Sequence, residues 1–194
     1  VLAHGRACAD VAMVSTRFGA TYYTGQIIVL NDSGIETIAD LEGKTFCRPD
    51  PLSTSGWIIP SITMQANGLN PEMDLEEIVD AGGHGQVVTA VVNGDCDAGA
   101  TYVDARDDEQ KELTTVITES SPIPNDTISF ASDFDAMLMQ QITDALVVIA
   151  ADEANADLLS DTYNWGGLVP AEDAFFDDFR QDLDAAGIDI EELN

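Results

Sequence analysis

The sequence predicts an α/β protein whose sheet is mostly parallel, and three observations carry that prediction. Short apolar runs alternate with amphipathic stretches, turn-forming residues separate them, and apolar residues recur at helical spacing towards the end of the chain. The first strand is expected over Asp10 to Ser15. The second, Gln26 to Leu30, follows Gly25 and is closed by Asn31, Asp32, Ser33 and Gly34, a cluster that turns the chain. Further strands are expected over Lys44 to Arg48, Glu77 to Asp80 and Cys96 to Tyr102. The apolar stretch Ile58 to Ala66 and the run Gln86 to Asn93 read as helices, with Pro60 expected to kink the first because it lacks a backbone N–H.

From Leu113 to Ala131 two β-branched runs, Thr114 to Thr118 and Thr127 to Ser129, flank a Ser- and Pro-containing break, and the segment reads as a connector between lobes. A helix is expected next, with Ser132 as its cap, Asp135 at the capping-box position, and Phe134, Leu138, Ile142, Ala145 and Ile149 as the core-facing stripe. A last helix is expected from about Ala171, with Phe175, Phe179 and Leu183 on one face and Gly187 just past its end.

With 194 residues, 45% of them hydrophobic, the chain can fill one or two compact lobes. It carries 7 basic against 36 acidic residues, a formal charge of -29, which argues against a nucleic-acid partner because phosphate backbones need clustered Lys and Arg. The acids are spread over every segment. They read either as a well-hydrated surface or as adaptation to high salt, where the screening length falls to about 3 Å at 1 M. No run approaches the roughly 20 apolar residues of a spanning helix. Val1 to Asp10 lacks the pattern of a signal peptide, so an export signal or lipid anchor is expected to lie outside this chain.

Cys8, Cys47 and Cys96 show no CxxC pair and no zinc spacing, and no metal or other cofactor is expected. Cys47 and Cys96 fall on expected strands and would be within disulfide reach if those strands are neighbours; two buried thiols are the alternative. The acidic run Asp104 to Glu112 lacks calcium-loop spacing and reads as solvated surface.

The segment Arg48-Pro49-Asp50-Pro51-Leu52-Ser53-Thr54-Ser55-Gly56-Trp57 follows a strand and precedes a helix. Three consecutive hydroxyls and a glycine at a helix start set side-chain donors beside unpaired backbone N–H groups and the positive end of the helix dipole, which suits an anion. A plain cap needs one hydroxyl and leaves the other two unexplained. In Ala81-Gly82-Gly83-His84-Gly85, His84 sits after a strand among glycines that permit close approach of a ligand, though a lone histidine also serves structure. Asp104, past the strand ending at Tyr102, could meet a ligand amine or a protonated ligand oxygen, or could be a surface carboxylate.

Taken together, "NDSGIETIADLEGKTF", "DPLSTSGWIIP", "AGGHGQVVTAVVNGDCDAGATYVDAR" and "ESSPIPNDTISF" resemble the phosphonate-binding-protein family of ABC transporters, the phosphate, phosphite and phosphonate branch of the type II periplasmic binding proteins. The resemblance implies a two-lobed clamp joined by two crossing segments. Residues 1–24 and 121–194 would form an incomplete first lobe whose amino-terminal part is absent, residues 32–118 the second lobe, and 25–31 with 119–120 the hinge. It implies that Ser53, Thr54, Ser55 and Gly56 grip phosphorus oxygens and that His84 is the cleft histidine. Tyr23, with Tyr22 as the alternative, would be the ligand aromatic, and Asp104 and Asp126 the acidic positions that meet an amino-phosphonate amine. The implied partners are a small phosphorus oxyanion and an ABC permease, with the protein outside the cytoplasm, and no catalysis is implied.

Two rival functions share some of these features. Ser53 or Ser55 with His84 and Asp104 superficially form a hydrolase trio, but no Gly-x-Ser-x-Gly elbow is present and the site shows no metal ligands or phosphate-gripping Lys or Arg. An effector-sensing half of a transcription regulator would need a basic helical DNA-binding module, which this acidic sequence lacks.

Overall fold

In the computed structural model, which describes residues 9–185 apart from the side chains of residues 104, 162, 182, 184 and 185, the apolar runs become strands close to where the pattern places them. The strands are β1 (Ala9–Thr16), β2 (Tyr22–Tyr23), β3 (Gly25–Leu30), β4 (Thr45–Arg48), β5 (Glu77–Asp80), β6 (Ala98–Tyr102), β7 (Thr114–Glu119), β8 (Ile123–Pro124), β9 (Thr127–Ala131) and β10 (Gly167–Pro170). The α-helices are α1 (Ile59–Ala66), α2 (Pro71–Asp74), α3 (His84–Asn93), α4 (Asp108–Leu113), α5 (Ala136–Ala151), α6 (Ala156–Tyr163) and α7 (Asp177–Ala185). Cys8 and Gly187 lie outside the described residues. The chain divides into two compact units: Thr24–Ile123 forms a central unit, and the segments ending at Tyr23 and beginning at Pro124 form a flanking unit.

The central unit is built on a five-stranded sheet of order β5-β4-β6-β3-β7. Only β5 with β4 and β4 with β6 run parallel; β3 pairs antiparallel with both β6 and β7. The expectation of a mostly parallel sheet is therefore corrected to a mixed one. The physical reason is that β3 brings the chain into this unit and β7 carries it out, so these two lie antiparallel beside each other. Period-two alternation sends side chains to opposite faces. Ile27 and Val29 of β3, Phe46 of β4, and Ala98 and Ala100 of β6 join Trp57, Met64 of α1 and Leu69 on one face. Ile28 and Cys47 face the other way, onto Val87, Val88 and Val91 of α3. Gly99 also points towards α3: a Cβ there would lie 2.6 Å from Val87 Cγ1. Cys47 and Cys96 form a disulfide with a Cα–Cα distance of 5.9 Å, the first of the two alternatives left open above.

The flanking unit holds an antiparallel sheet of order β10-β1-β9. Its core joins Ala12, Met13, Trp165 and Leu168 to Ile128, Phe130, Met139, Leu146, Ala150 and Leu159. Two expectations about α5 are corrected here. Its cap is Asp135, whose carboxylate accepts from the Leu138 N–H at 2.8 Å, rather than Ser132. Its core-facing side is the row Met139, Leu146 and Ala150, about 100° round the helix from the expected stripe, of which Leu138 is 46% and Ile149 38% exposed. The helix is apolar over most of its circumference, so spacing alone did not choose the face. Among the described residues no helix is long and apolar enough to cross a membrane.

Candidate functional site

Ser53 to Gly56 sit where β4 gives way to α1. The turn between them is wide: Thr54–Ile58 forms one turn of π-helix in which the N–H of Ile58 reaches back to the Ser53 carbonyl at 3.0 Å and that of Ile59 to Thr54. The α-helix proper begins at Ile59, so Pro60 occupies its first turn, where a missing N–H is tolerated. The expected kink is therefore replaced by a turn that places the proline harmlessly. Ser53 is the cap, its hydroxyl accepting from the Gly56 N–H at 3.2 Å. Ser53 and Thr54 are half-buried, whereas Ser55 and Gly56 are buried. Gly56 is sterically required, because a Cβ there would collide with the Pro49 ring and lie 2.8 Å from Ser53 Oγ. At Gly25, which opens β3, a Cβ would lie 2.9 Å from the Ser55 carbonyl oxygen, so the strand passes tightly beside the turn.

His84 is brought to this turn by the start of α3. Gly82 adopts φ 87°, a conformation that favours glycine, and Gly83 precedes the first helical residue, His84 itself, two residues earlier than expected. The imidazole is half-buried. Its Nε2 lies 3.5 Å from Ser53 Oγ and its Nδ1 3.0 Å from Thr101 Oγ1, while the Tyr102 ring packs edge-on with centroids 4.8 Å apart. Thr101 was not singled out from the sequence. The signal was available in period two, since Gly99 and Thr101 share the face of β6 that meets α3, and α3 begins with His84.

The cation nearest in sequence is engaged elsewhere. Arg48 bonds Asp80 through Nε at 2.6 Å and lies over the Trp57 ring at 4.4 Å. The local donors are thus hydroxyls, backbone N–H groups and an imidazole. Behind them, Gln26 is 2% exposed and donates through Nε2 to the carbonyls of Tyr102 and Val103 at 3.2 and 3.1 Å, and its Oε1 accepts from Arg106 at 3.1 Å. Arg106 also donates to Thr114 Oγ1 at 3.0 Å. Burial lowers the Arg106 pKa, and the charge of Glu119 opposes that shift. Among the described residues no group of three or more His, Cys, Asp or Glu is placed to hold a metal ion.

The remaining expected site residues are described each within its own unit. Asp104 lies in the short turn Val103–Ala105, and its side chain is outside the described residues. In the flanking unit, the Asp126 carboxylate accepts from Arg17 at 2.7 Å and from the Trp165 indole at 2.9 Å through one oxygen. Tyr23 has the Arg17 guanidinium 6.0 Å from its ring centroid, whereas Tyr22 stacks on Phe175 at 5.0 Å.

Comparison with known proteins identifies the family of the chain. The family model described as "ABC transporter, phosphonate, periplasmic substrate-binding protein" matches residues 1–176. The phosphate-import protein PhnD of Mycolicibacterium smegmatis is 29% identical over 204 aligned residues, covering 91% of this chain and 62% of the relative. The phosphonates-binding periplasmic protein of Escherichia coli is 31% identical over 137 residues, covering 65% of this chain and 40% of that one. This chain thus spans less than two thirds of the length of either relative. Two solved structures share the fold. One is a binding-protein component of a Pseudomonas aeruginosa ABC phosphonate transporter, with TM-score 0.77 and 22% identity over 92% of this chain and 63% of that one. The other is a Prochlorococcus marinus protein in complex with methylphosphonate, with TM-score 0.72 and 12% identity over 92% and 71%. The fold is that of the type II periplasmic binding proteins, and the chain belongs to the phosphonate periplasmic substrate-binding protein family of ABC transporters.

Proposed function

We propose that this chain is the substrate-binding component of an ABC importer for a small phosphorus oxyanion, working outside the cytoplasm. The observation that carries the reading is the hydroxyl-rich turn Ser53–Gly56 with the His84 ring beside it. In this reading Ser53, Thr54 and Ser55 donate to phosphorus oxygens, Gly56 closes the turn around them with its N–H on Ser53 Oγ, and His84 acts through the Ser53 hydroxyl beside it. With a formal charge of -29 the protein repels an anion at long range, so affinity comes from fixed local donors rather than steering. We assign Tyr23, Asp104 and Asp126 as further ligand contacts, the acids serving an amine or a protonated ligand oxygen. Phosphate, phosphite and phosphonates all suit this donor set. The Cys47–Cys96 disulfide supports an oxidising compartment, and a membrane permease would receive the solute.

Binding without turnover is part of the proposal. The Thr101 hydroxyl lies 3.0 Å from His84 Nδ1, and neither Ser53 nor Ser55 sits in a Gly-x-Ser-x-Gly elbow.

Calorimetric titration with phosphate, phosphite, methylphosphonate and 2-aminoethylphosphonate tests the reading and names the solute. Saturable heat with at least one ligand is expected. The double variant Thr54→Ala, Ser55→Ala should weaken binding by about 3 kcal/mol, roughly a hundredfold, because hydrogen bonds to a charged group are lost. Asp108→Asn, at a fully exposed carboxylate, should leave affinity unchanged. Equal effects of the two changes would overturn the site assignment.

A further inference from the structure

We propose that Thr101 is a positioning residue that fixes His84 as a donor towards the anion site; the inference rests on the oxyanion reading above. Thr101 is 0% exposed and lies on the face of β6 that meets α3. A buried hydroxyl must place its proton on an acceptor or lose the free energy of a hydrogen bond. His84 Nδ1, at 3.0 Å, is the acceptor within its reach among the described residues. In a neutral imidazole, an accepting Nδ1 requires that Nε2 carry the hydrogen.

That N–H is directed towards Ser53 Oγ, 3.5 Å away and at the outer limit of hydrogen-bond reach. Ser53 Oγ already accepts from the Gly56 N–H at 3.2 Å. Two incoming donors fill both lone pairs of the serine oxygen and leave its own O–H to point outward. Every hydrogen from Thr101 through His84 to Ser53 then runs the same way, and the series ends on a donor. A fully ionised phosphorus oxygen only accepts, so this polarity is the one it needs. The opposite tautomer would make Nε2 an acceptor, take the serine proton inward and present lone pairs to the anion. Gln26 supports the arrangement from behind by holding the carbonyls of Tyr102 and Val103, so the end of β6 that carries Thr101 keeps its register against α3.

The imidazole nitrogen spectrum of the ¹⁵N-labelled chain reads the tautomer directly, with His84 distinguished from His4 by the variant His84→Gln. We expect hydrogen on Nε2 in the parent protein, a mixture of tautomers in Thr101→Val, and the parent spectrum again in Thr101→Ser. Phosphate and methylphosphonate titrated into the same samples should bind about tenfold more weakly to Thr101→Val, with Thr101→Ser restoring most of the affinity. Hydrogen on Nδ1 in the parent protein overturns the inference, as does an unchanged spectrum and affinity in a folded Thr101→Val. If Thr101→Val does not fold, the parent tautomer decides alone. Silence of the parent protein with these two anions and with phosphite and 2-aminoethylphosphonate would instead overturn the oxyanion reading, and the nitrogen spectrum keeps the two failures separate.

Discussion

Met64 and Met137 both sit in helices that are largely apolar, yet Met64 in the central unit is 0% exposed and Met137 in the flanking unit is 72% exposed. The helices around them differ in the same way. Ten-residue α3 buries Val87, Val88 and Val91 completely, while sixteen-residue α5 has no fully buried residue and leaves Met137, Leu138, Val148 and Ile149 in contact with solvent. An apolar pattern reports how much greasy surface a segment brings; how much of it is covered depends on what the neighbouring sheet can reach. In the central unit five strands present two faces, each with its own core cluster. Among the described residues of the flanking unit, three strands and one core cluster serve a longer helix.

The sharpest way to widen this contrast is to remove the covalent tie of the central unit. The pair Cys47→Ala, Cys96→Ala, with the cysteines 49 residues apart in sequence, should lower the stability of that unit by about 4 kcal/mol on a chain-entropy argument. Hydrogen exchange should show faster opening in β4 and β6 than in β1 and β9. Next in size, Met64→Ala should cost about 3 kcal/mol through lost burial and a residual cavity, against a change within about 0.5 kcal/mol for Met137→Ala. Denaturant unfolding compares them, and equal losses would break the distinction between the two helices.

A smaller effect belongs to the surface of the central unit. The Asp40 carboxylate accepts from the Thr37 hydroxyl at 2.8 Å and from the N–H groups of Glu36 and Thr37 at 3.1 and 2.8 Å. The Thr37 hydroxyl first, then these backbone donors, hold its pKa below the ordinary 3.8. A depressed carboxylate stabilises the fold above the unfolded value and loses that contribution as pH falls through the folded value. Asp40→Asn should therefore lower the melting temperature slightly near neutral pH and be indistinguishable from the parent once the pH is well below 3.8. A difference that persists in acid would show that the cap does not depend on charge.

These contrasts also explain what was legible in the sequence. Glu77 to Asp80 reads as a strand and is one, because a short β-branched run bounded by turns has few other uses in a compact chain. The hydroxyl run before Trp57 and the glycines round His84 were equally visible, since each breaks a local rule that structure alone would keep. The π-turn was not: it depends on where the proline at 60 must land relative to the strand behind it. The core-facing side of α5 was hidden because Leu138 and Met139 are equally apolar and only the sheet beneath chooses between them. Thr101 escaped notice because its meaning comes from a partner 17 positions earlier on another element.

The collision that any Cβ at position 56 would have with the ring of Pro49 has an evolutionary consequence. Gly56 cannot drift while Pro49 stays. A lineage that replaces the glycine first inherits a clash in the middle of the hydroxyl turn, so the permitted order of change begins with the proline. Paralogues that have abandoned the turn should therefore show position 49 altered, and pairs of sequences keeping that proline should keep glycine seven residues on. The dependence runs one way, from position 49 to position 56, and can be scored across the lineage without any binding measurement.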